Sequence, residues 1–289
     1  MTIITAKVIA ASDYNGTVLW SLQLQYPRFI HSELMTHRVF SRSASSSRAI
    51  PVKKMLSQVW NEPAEPVHWG RNQPGMQANE QLTGWRLWLA QKLWRGAAKT
   101  VCGFVYVIDK LGGHKQWANR LLEPWQYIHV IVTTTEWDNF DSLRLHKDAQ
   151  PEMRKLAEVI KFARGMFQAE GRIAKRGNSI AERDTWHLPY VSELERYDNT
   201  LTLADHQAMS TARCARVSYL LHDGAKPDLQ KDLELYERLL NSKPEHASPA
   251  EHPARVGRNS EQFYYNLKGW TSLRWLRDNQ ALLPDGELE

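Results

Sequence analysis

The chain has 289 residues, enough to bury a substantial core, and its hydrophobic fraction of 42% and charged fraction of 24% are ordinary for a soluble globular protein. Its formal net charge of +5 favours anionic ligands but is too small and dispersed to establish nucleic-acid binding. Two cysteines, Cys102 and Cys214, are too few for a disulfide framework or a zinc site. No apolar segment approaches the roughly 18 residues of a membrane span, and the first residues lack the zones of a signal peptide, so we expect a cytoplasmic protein with no membrane partner.

The N-terminal segment carries the clearest strand pattern. Apolar residues alternate over positions 4–10 and again over 20–26, which predicts two half-buried strands joined as a hairpin through residues 13–16. A short helix over 29–35 is then expected to lead into the turn that follows.

Residues 56–77 are rich in Pro, Gly, Asn and Trp and are interpreted as an ordered loop. From 79 to 111 the apolar residues recur at helical spacing, which predicts one or two helices ending at the glycines that follow. The other predicted elements are a short helix over 115–122 stopped by Pro124, a strand over 127–135, helices over 137–145, 149–169 and 227–240, and an irregular stretch over 170–205.

Residues 36–48 are dense in groups that bind phosphate. Three arginines, one histidine and five serines fall within these thirteen positions. Arginine offers a rigid fork of donors that suits phosphate, and serine hydroxyls add short donors. This turn is therefore a candidate for holding a nucleotide phosphate, and composition alone leaves open that it is only a solvated loop.

The spacing within this turn resembles a known signature. Thr36-His37-Arg38, then seven residues, then Ser46 and Arg48, is similar to the Arg-His-Arg, seven residues, Ser, x, Arg pattern of the flavin-dependent thymidylate synthases (the ThyX family). The first arginine of that pattern is Thr36 in this chain.

Two central segments resemble the same family. Asn119-Arg120-Leu121-Leu122-Glu123-Pro124 is similar to its Ala-Arg-x-x-Leu-Pro, and residues 139–144 with 149–152 are similar to its Asn-Phe-Leu-x-Leu-Arg helix followed by Ala-Gln-x-Glu. The resemblance implies that Arg120 contacts the nucleotide, that Asn139 contacts flavin and that Arg144 grips the pyrimidine ring. Without the resemblance, Arg144 would be interpreted as the partner of Asp141 or Asp148 in a surface ion pair.

Two C-terminal segments also match, but in a different order along the chain. Residues 212–219 are similar to the family's Ala-Arg-x-Ala-Arg-Val-Ser-Tyr/Phe, and residues 246–252 to its His-x-Ser/Thr-Pro-Phe-Glu-His, which implies that Ser218 and His252 contact FAD. As a bare pattern, the two histidines of the second segment with the adjacent Glu251 are also compatible with a metal site. In most of the family these motifs precede the Arg-His-Arg turn, so this chain resembles a permuted member. We expect both residues to lie beside a Thr36-His37-Arg38 turn, in the same chain or in a neighbouring subunit.

The resemblance implies an α+β fold, a twisted mainly antiparallel sheet packed with long helices, in one ThyX-like catalytic domain over 1–289. Residues 170–205 would bridge back toward the N-terminal hairpin, and 280–289 would be a frayed tail.

The resemblance also implies a homotetramer with active sites between subunits, and methylation of dUMP to dTMP with methylene-tetrahydrofolate as carbon donor and NADPH reducing FAD. The implied roles are Ser46, Arg48 and Arg120 on the nucleotide, Arg144 as the catalytic contact to its ring, and Thr36, His37, Arg38, Asn139, Ser218 and His252 around FAD.

Departures from the family pattern leave two further hypotheses. Glu33 stands where a Gln often faces the nucleotide, Ala44 replaces an acidic residue, and Thr135 replaces a flavin-contacting Arg, so a pyrimidine hydroxymethylase or a dCMP-modifying enzyme is the first alternative. The second is a basic nucleic-acid-binding protein using Arg42, Arg48 and its tryptophans for stacking, although no stable nucleic-acid partner is expected.

Overall fold

The computed structural model describes residues 2–177, 181–217 and 228–279. The expected frayed tail at 280–289 and the proline expected at the start of the 227–240 helix lie outside these ranges, as does Ser218. Within them no helix is both long and apolar enough to cross a membrane.

A five-stranded sheet forms the centre of the fold. Its strands are β1 (Thr5–Tyr14), β2 (Thr17–Pro27), β3 (Ser41–Ala44), β4 (Tyr127–Thr134) and β5 (Ala174–Lys175), in the spatial order β3-β4-β2-β1-β5. The predicted hairpin is confirmed, because β1 and β2 pair antiparallel across a tight turn. Asn15 and Gly16 both have positive φ there, as a two-residue hairpin turn of this kind requires.

Two irregularities shape the β1 edge of this sheet. The register of β1 against β2 shifts between Val8 and Ala10, which marks a bulge. On its other side β1 pairs in parallel with the two-residue β5, at Ser12 and Asp13 only. The stretch that was expected to bridge back to the hairpin therefore touches this edge near the turn.

The helices that flank the sheet are α1 (His31–Leu34), α5 (Asp138–Arg144) and α6 (Pro151–Ala169). Helix α6 begins with proline at its first turn, where the missing N–H costs nothing, and it packs Leu156, Ala157 and Ile160 against the apolar face of the sheet. The predicted helices over 29–35, 137–145 and 149–169 are present with ends that move by about two residues.

A second layer contains the longest helix of the described chain. Helices α2 (Val52–Asn61), α3 (Gly84–Lys110) and α4 (Lys115–Ala118) pack with a 3₁₀ turn over Asn119–Trp125. The loop predicted from residue 56 is wrong over its first six residues, because Met55 and Val59 lie one helical turn apart and pack into this layer. Pro124 was expected to stop a helix at 122, but the chain continues through it as the 3₁₀ turn.

The C-terminal part adds a small sheet and more helices. Its helices are α7 (Glu193–Arg196), α8 (Leu203–Arg216), α9 (Leu229–Leu240) and α10 (Leu273–Asp278), and its strands are β6 (Trp186–His187), β7 (Ala254–Val256), β8 (Phe263–Tyr264), β9 (Leu267–Lys268) and β10 (Trp270–Ser272). The stretch 170–205 is irregular apart from short elements, except that α8 begins at its end. A capping box between Thr202 and Asp205 starts α8, a signal that the sequence prediction did not use.

The expected fold class is confirmed. The central sheet is antiparallel except at β5, and the long helices α3 and α6 pack beside it.

Candidate functional site

Four polar side chains from two distant segments meet beside the central sheet. Arg144, at the end of α5, donates from Nε to His37 Nε2 at 2.9 Å and from Nη1 to Glu33 Oε2 at 3.0 Å. Its Nη2 donates to Thr36 Oγ1 at 3.2 Å and to the Glu33 carbonyl at 3.4 Å. We call these four residues the Arg144 cluster. Of the site residues expected from the sequence, the cluster brings together Thr36, His37 and Arg144.

The interpretation of Arg144 as the partner of Asp141 or Asp148 in a surface ion pair is wrong. Asp141 pairs with Arg164 of α6 at 2.5 Å, and Arg144 pairs with Glu33 instead. With one Nη1 hydrogen left after its four hydrogen bonds, the guanidinium is held in a fixed orientation and keeps a donor for a ligand.

His37 is a neutral acceptor in this cluster. Since Arg144 Nε can only donate, His37 Nε2 must accept, which places the imidazole proton on Nδ1. Burial, aided by the positive charge of Arg144, lowers the pKa of His37 to about 4. Its ring also lies edge-on to Phe140 at a centroid distance of 4.9 Å. His37 therefore orients Arg144 without adding a second positive charge.

Glu33 and Arg42 complete the support of the turn. Burial raises the pKa of the Glu33 carboxyl, and the neighbouring Arg144 opposes this shift. Arg42 donates from Nη1 to the carbonyls of His37 at 2.8 Å and Met35 at 3.1 Å, so it clamps the backbone of the turn. Sequence reasoning assigned Arg42 to stacking in one alternative and missed this positioning role.

A cavity of about 890 Å³ opens beside the Arg144 cluster. Its lining includes Glu33 and Arg144, and it includes His68, Met76 and Gln77 from the loop that the sequence analysis places over 56–77. That loop is ordered: Arg71 N donates to Glu80 O at 2.7 Å, and Leu82 N donates to Trp69 O at 2.8 Å. The cavity has room for a nucleotide-sized ligand within reach of Arg144.

The serine–arginine turn after β3 is fixed by one buried amide. Asn119, fully buried, donates from Nδ2 to the carbonyls of Ser47 at 2.8 Å and Ile50 at 2.9 Å. Ser47 Oγ donates to Glu123 Oε1 at 3.0 Å. Asn119 therefore holds the backbone on either side of Arg48. Its position beside Arg120 in the matched motif is the only sequence signal that points to it.

The expected nucleotide ligands Arg48 and Arg120 are both exposed. Arg120 lies 3.6 Å from Glu123, which also pairs with Arg28 at 3.1 Å. Ser46 is half-buried, and its carbonyl accepts from Ala49 N at 3.0 Å. Among the hydrogen bonds and ion pairs of the described residues, none links this turn to the Arg144 cluster.

His252 lies in a buried chain of hydroxyls and imidazoles. Its Nε2 and Nδ1 are hydrogen-bonded to Ser43 Oγ at 3.0 Å and Thr133 Oγ1 at 2.8 Å. The chain continues from Thr133 through Ser21, at 2.5 Å, to His187 Nε2 at 2.9 Å. His252 thus reaches the strand that follows the Thr36 turn. Ser218, its expected companion, lies outside the described residues.

Acidification should destabilise the fold through these two histidines. Burial lowers the pKa of His252 to about 3 and that of His187 well below its usual 6.5. Between pH 6.5 and about 3 the unfolded chain protonates His252 and the folded chain does not, so this residue should lower the free energy of unfolding by up to about 1.4 kcal/mol per pH unit. His187 contributes in the same direction. Urea unfolding across this range measures the slope. His252→Gln should make the slope less steep by the contribution of that residue.

Two of the residues implied to hold FAD have exposed hydrogen-bond donors, which fits part of the implied flavin site. Arg38 and Asn139 are exposed and offer donors to an anionic, hydrogen-bonding cofactor. His252 is fully buried with both ring nitrogens engaged, so its implied contact to FAD stays a prediction. Within the described residues no group of three or more His, Cys, Asp or Glu side chains forms a metal site.

No protein-family model matches this sequence, and no curated protein matches it. Among solved structures, the chain is similar to the UMP/dUMP methylase PolB from Streptomyces cacaoi bound with 5-Br dUMP, at 15% identity and a TM-score of 0.47, over 60% of this chain and 98% of PolB. It is also similar to the flavin-dependent thymidylate synthase ThyX from Helicobacter pylori complexed with FAD and dUMP, at 16% identity and a TM-score of 0.36, over 53% of this chain and 70% of ThyX.

Proposed function

We propose that this protein is a flavin-dependent enzyme that modifies a pyrimidine nucleotide, and specifically that it methylates dUMP to dTMP. The proposal includes FAD as cofactor, methylene-tetrahydrofolate and NADPH as co-substrates, and a homotetramer. The observation that supports it most is the Arg144 cluster. Its two segments were each matched to the flavin-dependent thymidylate synthases, and they meet in hydrogen-bonding distance beside a cavity of nucleotide size.

In this proposal each polar group has a defined task. Arg144 directs its remaining guanidinium N–H at a ring oxygen of the pyrimidine, where a cation stabilises negative charge that develops on the ring. Neutral His37 and Glu33 keep the guanidinium in that orientation. Ser46, Arg48 and Arg120 bind the phosphate, and Arg38 and Asn139 hold the flavin. The flavin, when bound, supplies the reducing electrons.

One contact favours a second candidate, a hydroxymethylase or a dCMP-modifying enzyme. Glu33 occupies the position where a glutamine often faces the nucleotide in the family, and it lies 3.0 Å from Arg144. An ionised carboxylate only accepts hydrogen bonds, and it can accept from the exocyclic amino group of cytosine. The pair would therefore offer an acceptor and a donor side by side to a cytosine edge.

The decisive experiment is chemical. Purified protein should show flavin absorption bands, or gain them when FAD is added. It should then be incubated with dUMP or dCMP, methylene-tetrahydrofolate and NADPH, and the products weighed by mass spectrometry. A mass gain of one methyl group on dUMP supports the first candidate, and a hydroxymethyl product or a modified dCMP supports the second. A protein that takes up no FAD and alters neither nucleotide would refute both.

Removing Arg48 should weaken nucleotide binding. A charge-assisted hydrogen bond contributes roughly 1.5–3 kcal/mol, so Arg48→Ala is expected to raise the dissociation constant of the nucleotide by about 10- to 200-fold while FAD binding changes much less. Isothermal calorimetry measures both. Arg238→Ala, at another exposed arginine, on α9, is the control. An unchanged affinity in Arg48→Ala would remove this residue from the site.

A further inference from the structure

Helix α3 exposes an apolar stripe along its whole length. At 100° per residue the stripe is roughly 80° wide, and α3 buries Ala98, Cys102 and Val105 on the opposite side. The exposure is large at both ends, 70% for Trp85 and 82% for Leu111. We call this stripe the α3 seam; its members, all exposed, are Trp85, Leu89, Leu93, Gly96, Thr100, Gly103, Val107 and, just past the helix end, Leu111.

The positions of the α3 seam are spaced symmetrically along the helix. Successive members are spaced by four, four, three, four, three, four and four residues, so the pattern is symmetric about position 98. Large side chains occupy both ends and small ones occupy the middle. A two-fold contact between identical surfaces requires this kind of self-complementarity, since each position must meet its own mirror position. The mirror pairs are Trp85 with Leu111, Leu89 with Val107, Leu93 with Gly103, and Gly96 with Thr100.

Two glycines in the middle of the seam have no explanation within the described chain. A glycine in a helix interior costs about 1 kcal/mol relative to alanine. A Cβ added at Gly96 or Gly103 would meet no atom of the described residues within 4 Å, and neither residue has positive φ. The usual remaining reason for such glycines is the close approach of another backbone.

The surroundings of the seam fit a matching helix. An apolar cavity of about 430 Å³ opens at Gly103, walled by Trp60 and Tyr106, at the mirror position of Leu93. The basic side chains beside the seam turn back onto their own chain. Lys92 and Lys99 lie over the Trp88 and Trp60 rings at 5.9 and 5.1 Å, and Arg86 lies over the Trp85 ring at one end of the seam. The centre of the seam therefore has no like charges of the described chain facing it.

We propose that two copies of this chain associate through their α3 seams, as antiparallel helices that cross at Gly96 and Thr100, with Leu93 of each copy in the other's cavity at Gly103. This deepens the assembly included in the proposed function and names its contact surface, but it does not depend on the reaction. If the copies associate and neither flavin nor nucleotide binds in calorimetry, the proposed function fails and this contact stands.

The first test substitutes a glycine that the single chain does not need. A Cβ at position 96 meets no described atom within 4 Å and leucine improves helix propensity, so each copy of Gly96→Leu should fold at least as well as the wild type. Between copies the leucine blocks the crossing, and the dissociation constant measured by sedimentation should rise at least about 100-fold. Gly165→Leu is the matched control, because Gly165 is also a helical glycine with open space around it, on α6. A monomeric wild type, or an unchanged Gly96→Leu, would overturn the contact.

The second test fixes the orientation. Both native cysteines are buried, so a short bismaleimide will react with an introduced one. In antiparallel helices centred on position 98, the two copies of position 100 lie about 6 Å apart along the helix axis and those of position 85 about 39 Å apart, at 1.5 Å per residue. Thr100→Cys should therefore give crosslinked dimers in high yield, and Trp85→Cys should give none. Crosslinking at both positions would show parallel helices and overturn the proposed orientation.

Discussion

Replacing Arg144 by alanine is expected to lower the rate of product formation by about 100- to 1,000-fold, the usual loss when one donor to a developing negative charge is removed. Hydrogen bonds to His37, Thr36 and Glu33 fix the Arg144 guanidinium, and in the proposed function the variant loses the donor assigned to the pyrimidine ring. It also removes the ion-pair partner that the described residues show for the Glu33 carboxylate. Single-turnover kinetics with saturating nucleotide isolates the chemical step from binding.

Two variants sharpen this result. Arg144→Lys keeps the charge but lacks the fork that bonds three partners at once, so it should recover only a small part of the rate. Lys161→Ala removes an exposed cation on α6 that does not line this cavity, and it should retain most of the activity. A rate within threefold of wild type in Arg144→Ala would show that Arg144 does not act on the ring.

Asp232→Ala is expected to destabilise the protein by about 3–5 kcal/mol. Asp232 is 1% exposed, and its two oxygens bind Arg213 Nε at 2.8 Å and Arg216 Nη2 at 2.7 Å. Removing the carboxylate takes away the ion-pair partner that the described residues show for Arg216. Among those residues Arg213 then keeps Glu195 and the Tyr190 carbonyl. The cost arises because buried positive charge loses its counter-ion.

Urea unfolding of both proteins measures this change. Glu234→Ala is the matched control, because Glu234 lies two residues further along α9 with an exposed side chain, and its loss should change the free energy of unfolding by less than about 0.5 kcal/mol. If Asp232→Ala lowered the free energy of unfolding by less than about 1 kcal/mol, water would replace the carboxylate, and the ion pairs of Asp232 with Arg213 and Arg216 would not stabilise the fold.

Local patterns allowed the sheet and most long helices to be predicted, since alternation and helical periodicity depend only on near neighbours. Helix α8 was not predicted because small and polar residues fill its buried face: Ser210, Thr211 and Arg213 are all buried. Such a face carries no apolar period. In α3 the period was visible, but the residues that produced it, such as Trp85 and Leu93, are exposed.

Some residues of the candidate site could likewise be predicted from the sequence, and others could not. Motif resemblance named Thr36, His37 and Arg144, which do meet. The partner of Arg144 could not be found by helical spacing, because Glu33 lies 111 residues away along the chain. The role of Asn119 was equally hidden, since it depends on two carbonyl groups about 70 residues upstream. Hydrogen bonds to backbone carbonyls leave no trace in residue types, so only coordinates reveal them.

The edge of the central sheet has a consequence for how this chain avoids aggregation. Beyond the two positions covered by β5, most of β1 offers its outer backbone groups to no other strand of the described chain. An unpaired edge of this length is a template for strand addition by another molecule. The bulge between Val8 and Ala10 breaks the regular repeat of donors and acceptors there, and the charged Lys7 adjoins it. Both features discourage a strand of another molecule from docking in register. Fibril growth by strand addition is therefore disfavoured at the outer edge of β1.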